Sequence, residues 1–206
     1  ILGNEESCTG DSARRIGNEY LFQMQAEQNI ETFKKYGIKK IITQCPHCLT
    51  TLKNDYAEMG FDLDVIHHSQ FISDQINDGT IKPKKNINDD YTFHDACYVG
   101  RHQGEYDGPR NVLQSVLSDE AKVVEMPRNK DQSFCCGAGG GNMWYEIKKG
   151  KRINIERFEE AVETGVKKVA TSCNFCMIMM EDAKKVTGHD NDMEVFDISE
   201  IVANNL

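Results

Sequence analysis

The chain has 206 residues, 39% of them hydrophobic and 28% charged, with a formal net charge of -9. This is the balance of a globular chain long enough for one large or two modest domains. The surplus of carboxylates repels a phosphate backbone, which excludes nucleic acid as a partner, and no run of about 18 apolar residues is present to span a bilayer.

In chain order, Ser12 to Tyr36 carries a long helical pattern, with Thr9 or Asp11 as its cap and Gly37 as its stop. Ile38 to Thr43 is a short β-branched run that reads as a buried strand, and Pro46 opens a helix running to about Met59. Leu63 to His67 is strand-like, and Ser69 can cap a helix to about Asn77. Asn77 to Asp90 is polar, with Gly and Pro, and reads as a linker. Strands follow at Tyr91 to His94 and Lys122 to Met126, around a helix near Pro109 to Leu117. The rest alternates: helix Ile153 to Thr164, strand Lys167 to Thr171, helix Asn174 to Val186, strand Glu194 to Asp197, helix Ser199 to Asn205. Such alternation implies an α/β fold with mostly parallel sheets covered by helices.

The chain reads as one unit written twice. At an offset of 128 residues, Gly37 to Cys48 lies on Gly165 to Cys176, and Cys8 lies on Cys136. After a two-residue slip, Val65 to Ile72 lies on Val195 to Val202. A duplication is the simplest account, with a first unit over 1–80 and a second, complete one over 81–206. The counterpart of Cys97 would fall about 31 residues before Ile1, so the first unit is expected to be truncated.

All eight cysteines fall into this repeat. Cys97, Cys135-Cys136 and Cys173-x-x-Cys176 form one group, and Cys8 with Cys45-x-x-Cys48 forms another. Four disulfides would suit a short, loop-rich secreted scaffold, whereas this chain has long amphipathic helices, and metal-bound thiolates in a reducing, cytoplasmic setting fit better. Cys97 and Cys173 each follow a strand, at the sheet edge where α/β folds gather ligands. Cys176 lies in the first turn of a helix, whose free amides favour thiolate. Cys135-Cys136 runs into Gly137 to Gly141, which lets backbone approach a bulky inorganic core. That glycine run lacks the Lys-Ser/Thr of a phosphate loop. Around the cysteines, His94, Asp95, Arg101 and His102 are candidate proton or hydrogen-bond donors. Met177, Met179 and Met180 read as core, Trp144 and Tyr145 as a shield against water, and His67-His68 as a surface or core pair. Asp11 is a conceivable extra ligand, although a helix cap is the simpler role. No acid–base pair or nucleophile constellation stands out, so the catalytic residues are unassigned.

The five-cysteine pattern, with Gly137 after the doublet, resembles the cysteine-rich CCG domain of heterodisulfide reductase and related iron–sulfur oxidoreductases. The stretch Cys8 to Arg15, with Gly17-Asn18-Glu19-Tyr20, is most similar to membrane-associated members linked to an electron-transfer flavoprotein. The resemblance implies two Rossmann-like halves, each with a metal site, and a relay of electrons through [4Fe–4S] clusters between a flavoprotein or flavin dehydrogenase and a quinone or other acceptor. It implies that Cys97, Cys135, Cys136, Cys173 and Cys176 hold one cluster, of the noncubane type in heterodisulfide reductase itself. Cys8, Cys45 and Cys48 would hold the other with a cysteine outside this chain, at the cytoplasmic face of a membrane if preceding segments anchor it. The first copy departs from the pattern, with Ser7-Cys8-Thr9 in place of Cys-Cys-Gly, so four ligands suit a cubane cluster or a four-cysteine zinc site there. Zinc remains an alternative at the second site too, although a fifth thiolate gains nothing for it. The rival functions are a disulfide reductase working at a noncubane cluster and a zinc-stapled interaction module.

Overall fold

A computed structural model describes residues 1–145 and 149–206. The chain divides into two compact units, Ile1–His67 and His68–Leu206. The packing boundary therefore precedes the helix that follows His67, whereas the boundary read from the repeat lies at 80/81.

The first unit contains α1 (Asp11–Arg15), α2 (Glu19–Lys35), β1 (Lys40–Thr43), α3 (Pro46–Thr50), α4 (Tyr56–Glu58) and β2 (Asp64–His67). The single helix expected over Ser12 to Tyr36 is broken in two. Gly17 takes φ 84°, a left-handed turn that suits glycine, and Asn18 then caps α2 by accepting from the Leu21 amide at 3.2 Å. Neither expected cap for the first helix serves. Gly10 occupies the cap position, and the Thr9 and Asp11 side chains are engaged elsewhere. The helix expected from Pro46 to Met59 keeps its span but passes through a π turn at Thr51–Asp55, where one extra residue re-aims the side chains that follow. Phe22, Ala26, Leu49, Leu52, Tyr56 and Val65 form its core.

The second unit contains α5 (His68–Asn77), β3 (Tyr91–His94), α6 (Cys97–Gln103), α7 (Asp107–Gln114), β4 (Val123–Val124), α8 (Ile153–Glu163), β5 (Lys168–Thr171), α9 (Asn174–Val186), β6 (Glu194–Asp197) and α10 (Ile198–Ala203). Its sheet has the order β4-β3-β5-β6, and every pairing is parallel. Helix α6 is absent from the sequence reading, because Cys97 to Gln103 is too short to show a period. The strand expected over Lys122 to Met126 shrinks to Val123–Val124. β3 is buried at all four positions and packs with Val112, Leu113, Ile198 and Ile201. Met180, Phe158, Val169 and Val195 form a second cluster, consistent with methionines as core.

β1 and β2 form a parallel two-stranded sheet. They pair from Lys40↔Asp64 to Thr43↔His67, and β5 and β6 pair from Lys168↔Glu194 to Thr171↔Asp197. The two registers correspond residue for residue, so the two-residue slip falls between helix and strand and leaves the ladder intact. Among the described residues no helix is long and apolar enough to cross a membrane.

His67 and His68 are both buried, as a core role requires. His67 Nε2 lies 3.1 Å from the Gln44 carbonyl and His68 Nε2 3.2 Å from Asp197 Oδ1. Asp197 also accepts from the Ser199 amide and hydroxyl to cap α10. Burial alone would raise the Asp197 carboxyl, but His68 and Ser199 outweigh it and hold the group below the ordinary carboxylate value. Its stabilisation is complete above the unfolded value of about 3.9 and is lost as pH falls through the lower folded value. Asp197→Asn is expected to cost about 1–2 kcal/mol near neutral pH, with a deficit that shrinks below about pH 4. Urea midpoints measured across this range check it; a deficit independent of pH would count against the assignment.

Candidate metal centre

β3 and β5 lie side by side with His94 opposite Thr171, so both open on the same sheet edge. Cys97 comes three residues after β3 and begins α6. Cys173 comes two residues after β5 and caps α9, whose first turn carries Cys176. The Cys135-Cys136 doublet arrives on a loop tied down at three points. Arg101 Nε donates to the Asp131 carbonyl at 2.9 Å and its NH2 to the Ser133 carbonyl. The Lys130 amide donates to Asp95 Oδ2 at 2.7 Å, and the Ser133 hydroxyl to the Asp95 carbonyl at 3.2 Å. Asp95 and Arg101 thus serve as loop anchors, and His102 stacks on Tyr98 with ring centroids 4.2 Å apart.

Of the five thiols expected at this site, Cys136, Cys173 and Cys176 share one buried cluster, and Cys136 and Cys176 each place a sulfur within 4.8 Å of the other and of a His94 ring nitrogen. Cys135 interacts electrostatically with Cys136, and Cys97 with Cys136 and Cys173. Cys136, Cys173 and Cys176 are buried, and Cys97 and Cys135 are partly exposed. Ala96, Val99, Ala138 and Met179 surround them, with Met143 and Phe175 packed alongside. Trp144 and Tyr145 do not provide this shield; each is 65% exposed.

Crowding sets the protonation order. Burial, then Cys136 and Cys173, pushes the Cys97 thiol up to about 11. Hydrogen bonding to Cys136 is the main cause that raises Cys135 and Cys176. Cys136 is held well below the ordinary thiol value because Cys135, Cys176 and His94 bond its sulfur.

His94 stands at the end of β3 and is 1% exposed. One ligand-type atom from each of His94, Cys136 and Cys176 lies within 4.8 Å of the others. Arg157 Nε donates to His94 Nδ1 at 2.9 Å. Its other nitrogens reach the Arg128 carbonyl, Glu160 Oε2 and the Ser133 hydroxyl, and the side chain is fully buried. Burial, and then the Arg157 charge, keep the His94 ring below the ordinary imidazole value.

In the first unit, Cys45 follows β1 and caps α3, and Cys48 sits in its first turn. The two share a hydrogen bond, which with burial raises the Cys48 thiol. The Thr9 hydroxyl donates to Cys48 Sγ at 3.5 Å and the Gly10 amide to Cys8 Sγ at 3.4 Å. The Cys8 loop is pinned by Asn29, which donates to the Cys8 carbonyl at 2.9 Å, and by Tyr56, which donates to the Thr9 carbonyl at 3.0 Å. Asp11 does not serve as a cap, and its hydrogen bonds tie it to polar neighbours. Its buried carboxylate takes His47 Nδ1 at 3.0 Å, Arg15 Nε at 3.0 Å and the Thr51 hydroxyl at 3.2 Å. Sequence reasoning gave no role to Asn29, Tyr56 or Arg157; the Cys8 carbonyl, the Thr9 carbonyl and His94 that they bond lie 21, 47 and 63 residues away, beyond any local pattern. His47, between the two cysteines of Cys45-Pro46-His47-Cys48, carried a positional hint.

The donor chemistry fits a thiolate-held centre. All eight cysteines are free thiols, soft donors from three segments converge, and the buried Ser172 hydroxyl beside Cys173 has no partner among the described residues. Gly137 is a close backbone approach beside the cysteine doublet, with φ 91° and its amide 3.2 Å from Cys135 Sγ. A Cβ there would meet Ile153 Cβ at 3.2 Å and the Asn154 amide at 3.3 Å. Gly137→Ala is expected to cost about 1–3 kcal/mol and to reduce metal retained per chain; an unchanged melting temperature and metal content would refute this.

The family model of the cysteine-rich domain CCG matches residues 1–53 and 91–181. The EtfAB:quinone oxidoreductase of Syntrophomonas wolfei subsp. wolfei is 43% identical over 208 residues, covering 98% of this chain and 29% of that protein. The probable iron-sulfur-binding oxidoreductase FadF of Bacillus subtilis is 39% identical, covering 98% of this chain and 28% of that protein. A polypeptide of the dihydromethanophenazine:CoB–CoM heterodisulfide reductase of Methanosarcina barkeri is 35% identical, covering 98% of this chain and 50% of that polypeptide. The chain thus spans between 28% and 50% of the length of these curated relatives.

Proposed function

This chain belongs to the cysteine-rich CCG domain family, and from that premise we propose that it is the cluster-holding part of an iron–sulfur oxidoreductase that relays electrons. The donor is an electron-transfer flavoprotein or flavin dehydrogenase and the acceptor a quinone, as the name of the Syntrophomonas wolfei relative suggests. The observation that carries this reading is the burial of Cys136, Cys173 and Cys176 in one apolar cluster, with Cys97 placed just after the neighbouring strand on the same sheet edge. Cys97, Cys135, Cys136, Cys173 and Cys176 would hold a [4Fe–4S] cluster, of the noncubane type if all five ligate. Cys8, Cys45 and Cys48 would hold a second with a ligand from outside this chain. Such a group supplies one-electron storage at a potential set by charge, hydrogen bonds and exposure. The protein's own part is to gather the thiolates, exclude water with Met143, Phe175 and Met179, and offer N–H and O–H donors to the sulfurs.

We further read the chain as two Rossmann-like repeats, 1–80 and 81–206. The matching registers of β1–β2 and β5–β6 support this. Free thiols in this number belong in a reducing compartment, the cytoplasm or the cytoplasmic face of a membrane.

The test is metal, sulfide and spin analysis of the full-length protein prepared without oxygen. A brown protein with about four iron per complete site, a paramagnetic signal on one-electron reduction and turnover with flavoprotein and quinone is the expected result. Zinc alone would replace the reading with a stapled interaction module; reduction of a disulfide substrate in place of quinone would replace it with a disulfide reductase.

A further inference from the structure

Three ligand-type atoms, from His94, Cys136 and Cys176, lie within 4.8 Å of one another and invite the reading that His94 is a metal ligand. Its hydrogen bonds argue otherwise. A guanidinium has five N–H donors and no acceptor, so the 2.9 Å contact from Arg157 Nε can only be a bond that His94 Nδ1 accepts. A neutral imidazole carries one proton, and with Nδ1 accepting, that proton is on Nε2. Nε2 then has no lone pair for a metal. Metal-bound histidines show the reverse arrangement, donating the other ring N–H to a carboxylate, carbonyl or water.

Arg157 has little freedom to release the ring. It is fully buried and also bonds the Arg128 carbonyl, Glu160 and Ser133. The Cys136 sulfur lies within 4.8 Å of a His94 ring nitrogen, close enough to be the partner of the nitrogen that Arg157 does not use, and the two groups interact electrostatically. We propose that His94 donates Nε2–H to the Cys136 sulfur, held in that role by Arg157, and tunes the second site's affinity for electrons without ligating its metal. His94 is a positioning residue that acts through Cys136, and Arg157 positions His94. An N–H aimed at a sulfur stabilises the extra negative charge of the reduced state and so raises the potential. This inference rests on the iron–sulfur reading above.

The test uses full-length protein with ¹⁵N-labelled histidine, loaded and reduced, in pulsed electron paramagnetic resonance. The expected result is one weakly coupled histidine nitrogen and a coupled proton that disappears in D2O. A strong nitrogen coupling would make His94 a ligand and overturn the proposal; no coupling at all would make it a bystander and also overturn it. Redox titration of His94→Phe, which removes the donor, is expected to show unchanged iron content. Its reduced-to-oxidised ratio at fixed potential should fall about tenfold, a drop of about 59 mV for one electron. His94→Gln, which can still donate, should recover part of that shift, and equal potentials in both variants and the parent would sink the idea. If the protein carries zinc alone, the iron–sulfur reading fails, but imidazole ¹⁵N shifts of the diamagnetic sample still decide this point. A protonated Nε2 supports the donor role, and a protonated Nδ1 refutes it.

Discussion

Cys136→Ala is expected to strip the second site of its metal, whereas Cys8→Ala leaves that site loaded. Cys136 is 4% exposed and is the sulfur on which Cys135, Cys176 and His94 converge. Its loss removes the donor that all the others surround and leaves four sulfurs around an apolar gap. Metal binding and folding of such a site are linked, so its retention should fall by at least about tenfold. Cys135→Ala should do less. Cys135 is partly exposed at the rim, and the four sulfurs left behind still suit a cubane cluster or zinc. Iron and sulfide per chain, with the paramagnetic signals of the two sites followed separately after anaerobic passage through a chelating resin, rank the three variants. A full second-site signal in Cys136→Ala, or equal losses of that signal in all three, would show that the doublet is not the centre of the site.

The second large effect is structural. Arg110 holds Asp95 through two bonds of 2.8 and 2.9 Å and Glu125 through two of 2.6 and 2.8 Å, and donates to the Tyr106 carbonyl at 2.9 Å. Asp95 is 5% exposed and in turn receives the Lys130 amide and the Ser133 hydroxyl, which fix the loop leading to the cysteine doublet. Arg110→Met would leave that carboxylate buried without its cation, at a cost of about 3–5 kcal/mol. Adding Asp95→Leu to Arg110→Met removes the stranded charge, and the double variant should be less destabilised than the sum of the two single ones. Urea unfolding followed by circular dichroism gives all four corners of the cycle. Strict additivity would mean that the pair is not coupled.

Elements built from local pattern were legible in the sequence. Helix α9 and strand β6 begin and end where periodicity and β-branching place them. The placing of Cys97 and Cys173 was legible for a related reason: each comes just after one of two adjacent parallel strands, and such strand ends share an edge. What stayed hidden depends on long-range partners. Arg157 reads as one more charge on an amphipathic helix, and its burial follows only from groups on the β3 end and two loops. Asp11 reads as a cap because acids often precede helices, yet His47 and Thr51, 36 and 40 residues on, draw it inward. The break at Gly17 was written in the letters Gly-Asn-Glu, but a continuous apolar period across it concealed the turn. The π turn at Thr51–Asp55 has no compositional mark.

Among the described residues β1 is paired along one edge only, and its Lys40 and Ile42 side chains are exposed. Such a rim is a template for any extended peptide of compatible polarity. Expressed on its own, the Ile1–His67 unit should therefore self-associate through intermolecular strand addition, and Lys39 and Lys40 are the charges that oppose this. Replacing both lysines by threonine would turn a sluggish tendency to dimerise into visible aggregation.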